Sequence, residues 1–374
     1  MVPIRIVYII TSLEIAGSER QQFLLLKHLD RSRYSPHMIA FFSGAMEQQF
    51  RALDLPVEVI HCTQVRLSAW LRCWRRLRQL KPDIVHTIGQ TANVVGRSAA
   101  ALAGVPIIIA SERNTAEIKG QMRLWVDKLL SRTSNFVISN SRHSAEFFAR
   151  QHIVDPAKIQ IIQNGIDASA LPLACGSGIP PRLGSVGELR RTKYHSGLLR
   201  AMQRVIRDIP AAVLEIAGDG ALRNEVEREI QCRGLARNVL MRGWVHQIGD
   251  FLRELDIYIH AAHHEGLPNA IIEAMACGLP CVAFNTSGCA ELIQDGKTGL
   301  LAPLGDYDEL GAAAVALLRN PELRQQLGLA AREFITNHFS IERMVQQHLA
   351  LYSRALSQLM DSPPEDAAAV GMTE

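Results

Sequence analysis

The sequence lacks any apolar run near the roughly 18 residues that a membrane-crossing helix requires. The longest candidate, residues 99–110, is interrupted by Gly104 and Pro106 and reads as a helix end, a turn and a buried strand. The opening Met-Val-Pro-Ile-Arg-Ile-Val-Tyr-Ile-Ile is too short for a signal-peptide core, and no small-residue cleavage site follows it. A cytoplasmic location is therefore expected. Cysteine is sparse and scattered, at 62, 73, 175, 232, 277, 281 and 289. The count is odd and no Cys-x-x-Cys pair occurs, which argues against a disulfide framework and a zinc-finger site and for reduced thiols in or near the core. No internal repeat of solenoid period is present.

What is there is ordinary globular material, 48% apolar and 21% charged over 374 residues, enough for about two domains. The net charge of +3 conceals an asymmetry. Residues 1–170 carry 21 Lys and Arg against 13 Asp and Glu, and the rest carries 19 against 24. A basic front half suits an anionic partner or surface.

Short apolar runs alternate with longer amphipathic ones. Strands are expected at 4–10, 36–42, 57–61, 83–87, 106–110, 136–139 and 159–162, and helices at 19–29, 68–80 and 93–103. After the Gly/Pro-rich stretch 171–182 the pattern restarts, with strands at 183–186, 213–217, 239–242, 257–260, 281–284 and 300–302. Strands apolar on both faces and separated by helices imply parallel sheets covered on both sides. The expected fold is α/β, two Rossmann-like doubly wound domains facing a central cleft. The first spans 1–170, the linker 171–182 and the second 183–340. A helix at about 341–360 follows, then a Pro-, Asp- and Ala-rich tail, 361–374, expected to be disordered. Ligands of such sheets sit at the carboxyl ends of the strands.

One segment carries most of the chemistry, His263-His-Glu-Gly-Leu-Pro-Asn-Ala-Ile-Ile-Glu-Ala-Met-Ala-Cys-Gly278. It follows a strand. Pro268 suits the first turn of a helix and Gly278 suits its end. The helix N-terminus offers free N–H groups and positive dipole charge to an anion. Glu265 and Glu273 then face one pocket at different depths, and a carboxylate can accept two hydroxyl hydrogen bonds at once, as a vicinal diol offers. A capping glutamate plus a solvated one is the alternative for either carboxylate alone.

This string, continuing as Leu-Pro-Cys-Val-Ala to Ala283, resembles the donor-site motif of the retaining family 4 glycosyltransferases, which have the GT-B fold. The resemblance spans roughly residues 4–355. It implies that Glu265 contacts the transferred sugar, that backbone around Gly266, Leu267, Pro268 and Asn269 holds its hydroxyls or the phosphate, and that Glu273 binds the ribose. Val186-Gly-Glu-Leu-Arg-Arg-Thr-Lys193 is similar to the family's diphosphate loop, with Gly187 beside the phosphates and Lys193 gripping them. Where relatives often have Arg, this chain has Glu188, so Arg190 or Arg191 must take over, or the diphosphate is held more loosely. Ala217-Gly-Asp-Gly-Ala-Leu-Arg223 matches the stretch whose glycines, Gly218 and Gly220, let the backbone approach the nucleotide. Trp244 lies where relatives frame the base, although it could equally be a surface aromatic. Thr11–Arg20 resembles the family's loop over the donor phosphates, with Gly17 where two glycines are common, and Asn164-Gly-Ile-Asp167 resembles a structural or hinge turn.

A histidine that many relatives carry after the fifth strand is replaced by Ser111-Glu-Arg-Asn-Thr115. Arg113 is the candidate to stabilise the leaving phosphate or bind an acidic acceptor, with Glu112 as its pairing partner. His86, ending an earlier strand, is expected to point toward the cleft. Ser68–Lys81 combines Trp70, Leu71, Trp74, Leu77 and Leu80 with five cations and suits either packing on the sheet or peripheral contact with an anionic membrane.

The resemblance implies a glycosyltransferase that moves a sugar from a nucleoside-diphosphate sugar, UDP-linked, to a glycan or lipid-linked acceptor in envelope polysaccharide synthesis at the inner face of the plasma membrane. Neither cofactor nor metal is expected, and no nucleic-acid partner. A non-catalytic sugar-nucleotide-binding relative and a sugar-nucleotide epimerase of the same fold are the rivals.

Overall fold

The computed structural model describes residues 3–60, 67–112, 120–176, 178–193 and 195–361. Two parallel sheets organise it. The first holds β1 (Ile4–Ser12), β2 (Tyr34–Phe42), β3 (Val57–Val59), β4 (Ile84–Ile88), β5 (Ile107–Glu112), β6 (Phe136–Ser139) and β7 (Ile159–Ile161), in the order β3-β2-β1-β4-β5-β6-β7. The second holds β8 (Arg182–Val186), β9 (Val213–Ala217), β10 (Val239–Gly243), β11 (Ile257–His260), β12 (Cys281–Phe284) and β13 (Gly299–Ala302), in the order β10-β9-β8-β11-β12-β13. Around the first lie α1 (Gly17–Lys27), α2 (Glu47–Arg51), α3 (Leu67–Leu80), α4 (Gln90–Leu102), α5 (Gln121–Ser131) and α6 (Arg142–Arg150). Around the second lie α7 (His195–Asp208), α8 (Arg223–Cys232), α9 (Ile248–Arg253), α10 (Asn269–Ala276), α11 (Ser287–Ala290), α12 (Tyr307–Arg319) and α13 (Pro321–His338), and α14 (Ile341–Asp361) ends the described chain.

The strands read as unbroken apolar runs because both faces are covered. Ile6, Tyr8 and Ile10 of β1 enter one core while Val7 and Ile9 enter the opposite one. Ile257 and Ile259 of β11 likewise part from Tyr258. That period of two is the pleat itself. α14 crosses back to the first sheet and places Ile341, Met344, Val345, Leu351 and Tyr352 in its core. Each such side chain contributes about 1.5–3 kcal/mol of burial, so the terminal helix is part of the first domain's stability.

Strand order reverses between β1 and β4 and between β8 and β11. At such a switch point the loops leaving neighbouring strands part to opposite faces and open a crevice at the carboxyl edge. The two crevices face each other across the molecule.

One sequence expectation changes here, and of the two readings of α3 the packed one holds. His86, at β4, does not reach the cleft: it is 1% exposed, with Nδ1 2.8 Å from the Tyr352 hydroxyl of α14 and Nε2 2.8 Å from Ser111 Oγ. A central strand's side chain that meets a covering helix is interior, whatever end of the strand it occupies. The apolar stripe of α3 is also directed inward. Ala69, Cys73 and Leu77 are buried, and the Trp70 and Trp74 indoles donate to Ser98 Oγ (2.9 Å) and the Leu102 carbonyl (3.3 Å). Exposed large apolar side chains gather on α5, where Met122, Trp125 and Leu129 are 76%, 63% and 47% exposed, while α3 exposes Leu67 at its start. No helix among the described residues is long and apolar enough to cross a membrane.

Candidate functional site

A cleft of about 810 Å³ lies between the carboxyl edges of the sheets, within the range of small-molecule sites. Four successive loops of the second sheet line it: Gly187–Lys193 after β8, Gly218–Gly220 after β9, Trp244–Val245 after β10, and Glu265–Asn269 after β11. From the first sheet come the Glu14–Arg20 turn after β1, Asn140 after β6 and Asn164 after β7.

The β9 loop must be glycine. Gly218 has φ +146°, its N–H donates to the Gly243 carbonyl at 2.7 Å, and a Cβ there would run into the Gly187 carbonyl. Two phosphate-loop candidates are thereby pressed together, backbone on backbone. Gly17 faces the second domain so closely that a Cβ would lie 2.5 Å from Asn269 Nδ2.

Glu265 and Glu273 both face the cleft. α10 starts at Asn269 with Pro268 as its N-cap, one residue later than the proline pattern suggests, and Gly278 leaves the helix at φ +74°. Lys193 Nζ donates to Glu265 Oε1 at 2.5 Å, and His260 Nε2 lies 3.4 Å from the same oxygen. Burial works to raise the Glu265 carboxyl, but Lys193 and His260 outweigh it and hold the group down to about 2. Glu273, one turn inside α10, behaves oppositely. Burial pushes its carboxyl up, and Arg20 Nη1, at 3.2 Å across the cleft, only partly offsets that. The third cation of the cleft is also paired, with Arg190 Nε 3.5 Å from Glu188 Oε2 and both side chains mostly exposed. Glu188 therefore draws on the very arginine expected to replace the missing one.

The acceptor-side candidates lie elsewhere. Glu112 is buried and receives a hydrogen bond from Asn93 Nδ2 at 2.8 Å, with Arg97 Nη2 at 3.6 Å. It is tied into the interior polar network of α4. Arg113 lies outside the described residues. Among the described residues, no group of three or more His, Cys, Asp or Glu is gathered to hold a metal ion.

Several site contacts were not foreseen. Arg20 was only the last letter of a loop motif. Asn164 Nδ2 donates to Asn269 Oδ1 across the cleft at 2.7 Å, and Gly165 is gripped by Gln21 through both its N–H (2.7 Å) and its carbonyl (2.9 Å). A smaller cavity of about 300 Å³, lined by Ile15, Phe23, Leu24, Met46 and Trp244, adjoins the cleft at Arg20.

Two family models match, one described as glycosyltransferase family 4 over residues 15–170, the other as glycosyl transferases group 1 over residues 178–334. The chain belongs to this glycosyltransferase family. It is 26% identical over 363 residues to the UDP-Gal:alpha-D-GlcNAc-diphosphoundecaprenol alpha-1,3-galactosyltransferase of Escherichia coli, covering 90% of this chain and 94% of that one. It is 25% identical over 306 residues to the alpha-maltose-1-phosphate synthase of Mycolicibacterium smegmatis, covering 72% and 79%. Among solved structures, Anabaena HepE in complex with UDP-glucose superposes with a TM-score of 0.84 at 22% identity, over 94% of this chain and 99% of that one. That likeness fixes the fold of this glycosyltransferase as GT-B, two α/β domains with a cleft between them.

Proposed function

We propose that this glycosyltransferase moves a hexose from a UDP-sugar, with retention of anomeric configuration, onto a hydroxyl of a lipid-linked or polysaccharide acceptor in envelope polysaccharide synthesis. The observation that carries the reading is the Lys193–Glu265 pair, held at 2.5 Å at the carboxyl ends of β8 and β11 with Glu273 on the same cleft. The name of the E. coli relative, which covers nearly the whole chain, supports UDP as the nucleotide and a polyprenyl-diphosphate sugar as the acceptor class.

In this reading Lys193 turns from Glu265 to the donor diphosphate. Arg190 and the N-terminus of α10 add positive charge there, and no metal ion is assigned. The bond from the sugar's anomeric carbon to the phosphate oxygen breaks as a bond to the acceptor oxygen forms on the same face. The acceptor's proton passes to the departing phosphate, and UDP leaves. Preorganised cations at the leaving phosphate supply the main stabilisation. Glu265 stays ionised throughout the physiological range and accepts hydrogen bonds from sugar hydroxyls. Glu273 accepts the ribose hydroxyls and exchanges Arg20 for them. Arg113 is assigned to the leaving phosphate or an acidic acceptor group.

An acceptor carried on a lipid calls for a lipid-facing surface, and α5 suits it better than α3. Its sole carboxylate, Asp127, is buried against Arg97 at 2.9 Å, so the charges flanking Met122, Trp125 and Leu129 outside are Lys128 and Arg132.

Thermal-shift binding with UDP, UDP-galactose and UDP-glucose, followed by NMR of the product anomer, tests the reading. Stabilisation by UDP and an α-configured product from an α-linked donor are expected, with activity unchanged in EDTA. No shift with any UDP- or GDP-sugar, an inverted product, or epimerised donor without acceptor would overturn it. Flotation with anionic but not neutral liposomes, lost in Trp125→Ala, tests the surface; equal recovery with both would sink it.

A further inference from the structure

Asn140 follows β6 on the first domain's side of the cleft and lines it. The residue is 4% exposed, yet among the described residues its Oδ1 has no hydrogen-bond partner. A buried amide oxygen without a donor is costly, and such groups recur where a ligand completes the bond. The β6–α6 turn that carries it is held from the opposite domain. Glu291, just past α11, accepts from the Arg142 N–H at 3.0 Å through Oε2 and from the His143 N–H at 2.9 Å through Oε1. Ser141 Oγ accepts from the Ser144 N–H at 3.2 Å. The carboxylate thus satisfies free donors at the N-terminus of α6 and complements its dipole. α11 is itself seated on the donor turn: a Cβ on Gly288 would lie 2.6 Å from the Glu265 carbonyl oxygen and 2.5 Å from that of Gly266. A continuous path of rigid contacts therefore runs from Asn140 through Glu291 and α11 to the Glu265–Gly266 backbone.

We propose that Asn140 Oδ1 accepts a hydrogen bond from the transferred sugar, and that Glu291 is its positioning residue. The proposal rests on the UDP-sugar reading of the cleft. Nothing among the described residues donates to this oxygen, and what it needs is an O–H or N–H. Ionised phosphate oxygens are acceptors, so the partner is a sugar hydroxyl or the N–H of an N-acetyl group. The path through α11 ties the oxygen to the Glu265 turn, where the sugar rather than the nucleotide is bound. Neither domain completes this contact alone: one supplies the amide and the other fixes its turn.

Titration calorimetry with UDP, UDP-glucose, UDP-galactose and UDP-N-acetylglucosamine, on the full chain and on Asn140→Ala, separates the possibilities. The expected result is a loss of about tenfold for the preferred UDP-sugar, with UDP affinity unchanged and Asn140→Asp, which keeps an acceptor oxygen, restoring most of it. Equal loss for UDP and UDP-sugar, or no loss for any of them, overturns the proposal. So does a raised acceptor KM with unchanged donor affinity, which would assign the oxygen to the acceptor. If the unaltered chain binds neither UDP nor a UDP-sugar, the reading of the cleft fails rather than the role of Asn140. Glu291→Ala is expected to lower UDP-sugar affinity but not UDP affinity, and to add nothing in the double variant with Asn140→Ala. Additive losses would make Glu291 merely structural. Glu291→Gln, which keeps one acceptor, carries the same comparison should the alanine variant not fold.

Discussion

The two rims of the cleft were built to different rules. On the second domain's rim, the loops after β8, β9, β10 and β11 all deliver residues that a motif marks, Lys193, Gly218, Trp244 and Glu265 among them. On the first domain's rim, the residues marked by strand-end position, His86 and Glu112, are held in the interior, and the cleft is lined by the Glu14–Arg20 turn, Asn140 and Asn164. The difference has a physical origin. A diphosphate and a ribose demand a narrow set of groups, a cation, glycine backbone and carboxylates in sequence-local loops. On the opposite rim the Thr11–Arg20 and Asn164–Asp167 turns are legible as motifs, but the contacts between domains that tie Arg20, Asn140 and Asn164 into the cleft leave no local signature.

Five substitutions would break or sharpen that comparison. Lys193→Ala should cost the most, about 10²–10³-fold in kcat, because a preorganised cation at the developing phosphate charge is lost. A loss below tenfold would move the diphosphate grip to Arg190.

The two carboxylates should respond oppositely to pH. The Glu265 carboxyl is held near 2, so the unfolded chain takes up its proton first as pH falls. Its contribution, up to about 3 kcal/mol, is present above the unfolded value and disappears as pH drops toward 2. Glu265→Gln should therefore lower Tm at pH 7, with the gap closing in acid. Glu273 is raised, so the native state holds its proton longer and stability falls as pH climbs above the unfolded value. Glu273→Gln should gain Tm relative to the parent over that climb. Parallel Tm–pH profiles for the two variants would contradict the opposite settings.

Gly218→Ala should destabilise by about 2 kcal/mol and abolish the UDP thermal shift, since its methyl displaces the Gly187 carbonyl. An unchanged melt would mean that the β8 and β9 loops are less tightly joined than they stand. The smallest effect belongs to Glu188→Gln. Freeing the exposed Arg190 should tighten UDP binding about twofold to fivefold at low salt, with the gain vanishing at high salt. Weaker binding would give Glu188 a positive role in the loop.

Much of this was legible in one dimension. Every strand of both sheets falls within two residues of its apolar run, since a buried parallel strand needs side chains that are apolar on both faces. Glu265, Glu273 and Lys193 were readable because their spacing reflects a turn, a helix and a phosphate loop, each a local structure. α3 shows the limit: its amphipathic pattern allowed a membrane face or a packed face, and the Trp70 and Trp74 indole bonds to α4 decided it.

The sequence by itself determined the two-sheet α/β architecture and the second-sheet loops that line the cleft, because these follow from periodicity and short-range turn chemistry. Only the tertiary structure decided that His86 belongs to α14, that each cleft cation already has a carboxylate partner, and that Glu291 reaches across to hold the turn of Asn140. Most of those contacts join residues far apart in the chain, and their energies depend on distance and burial, which no local pattern encodes.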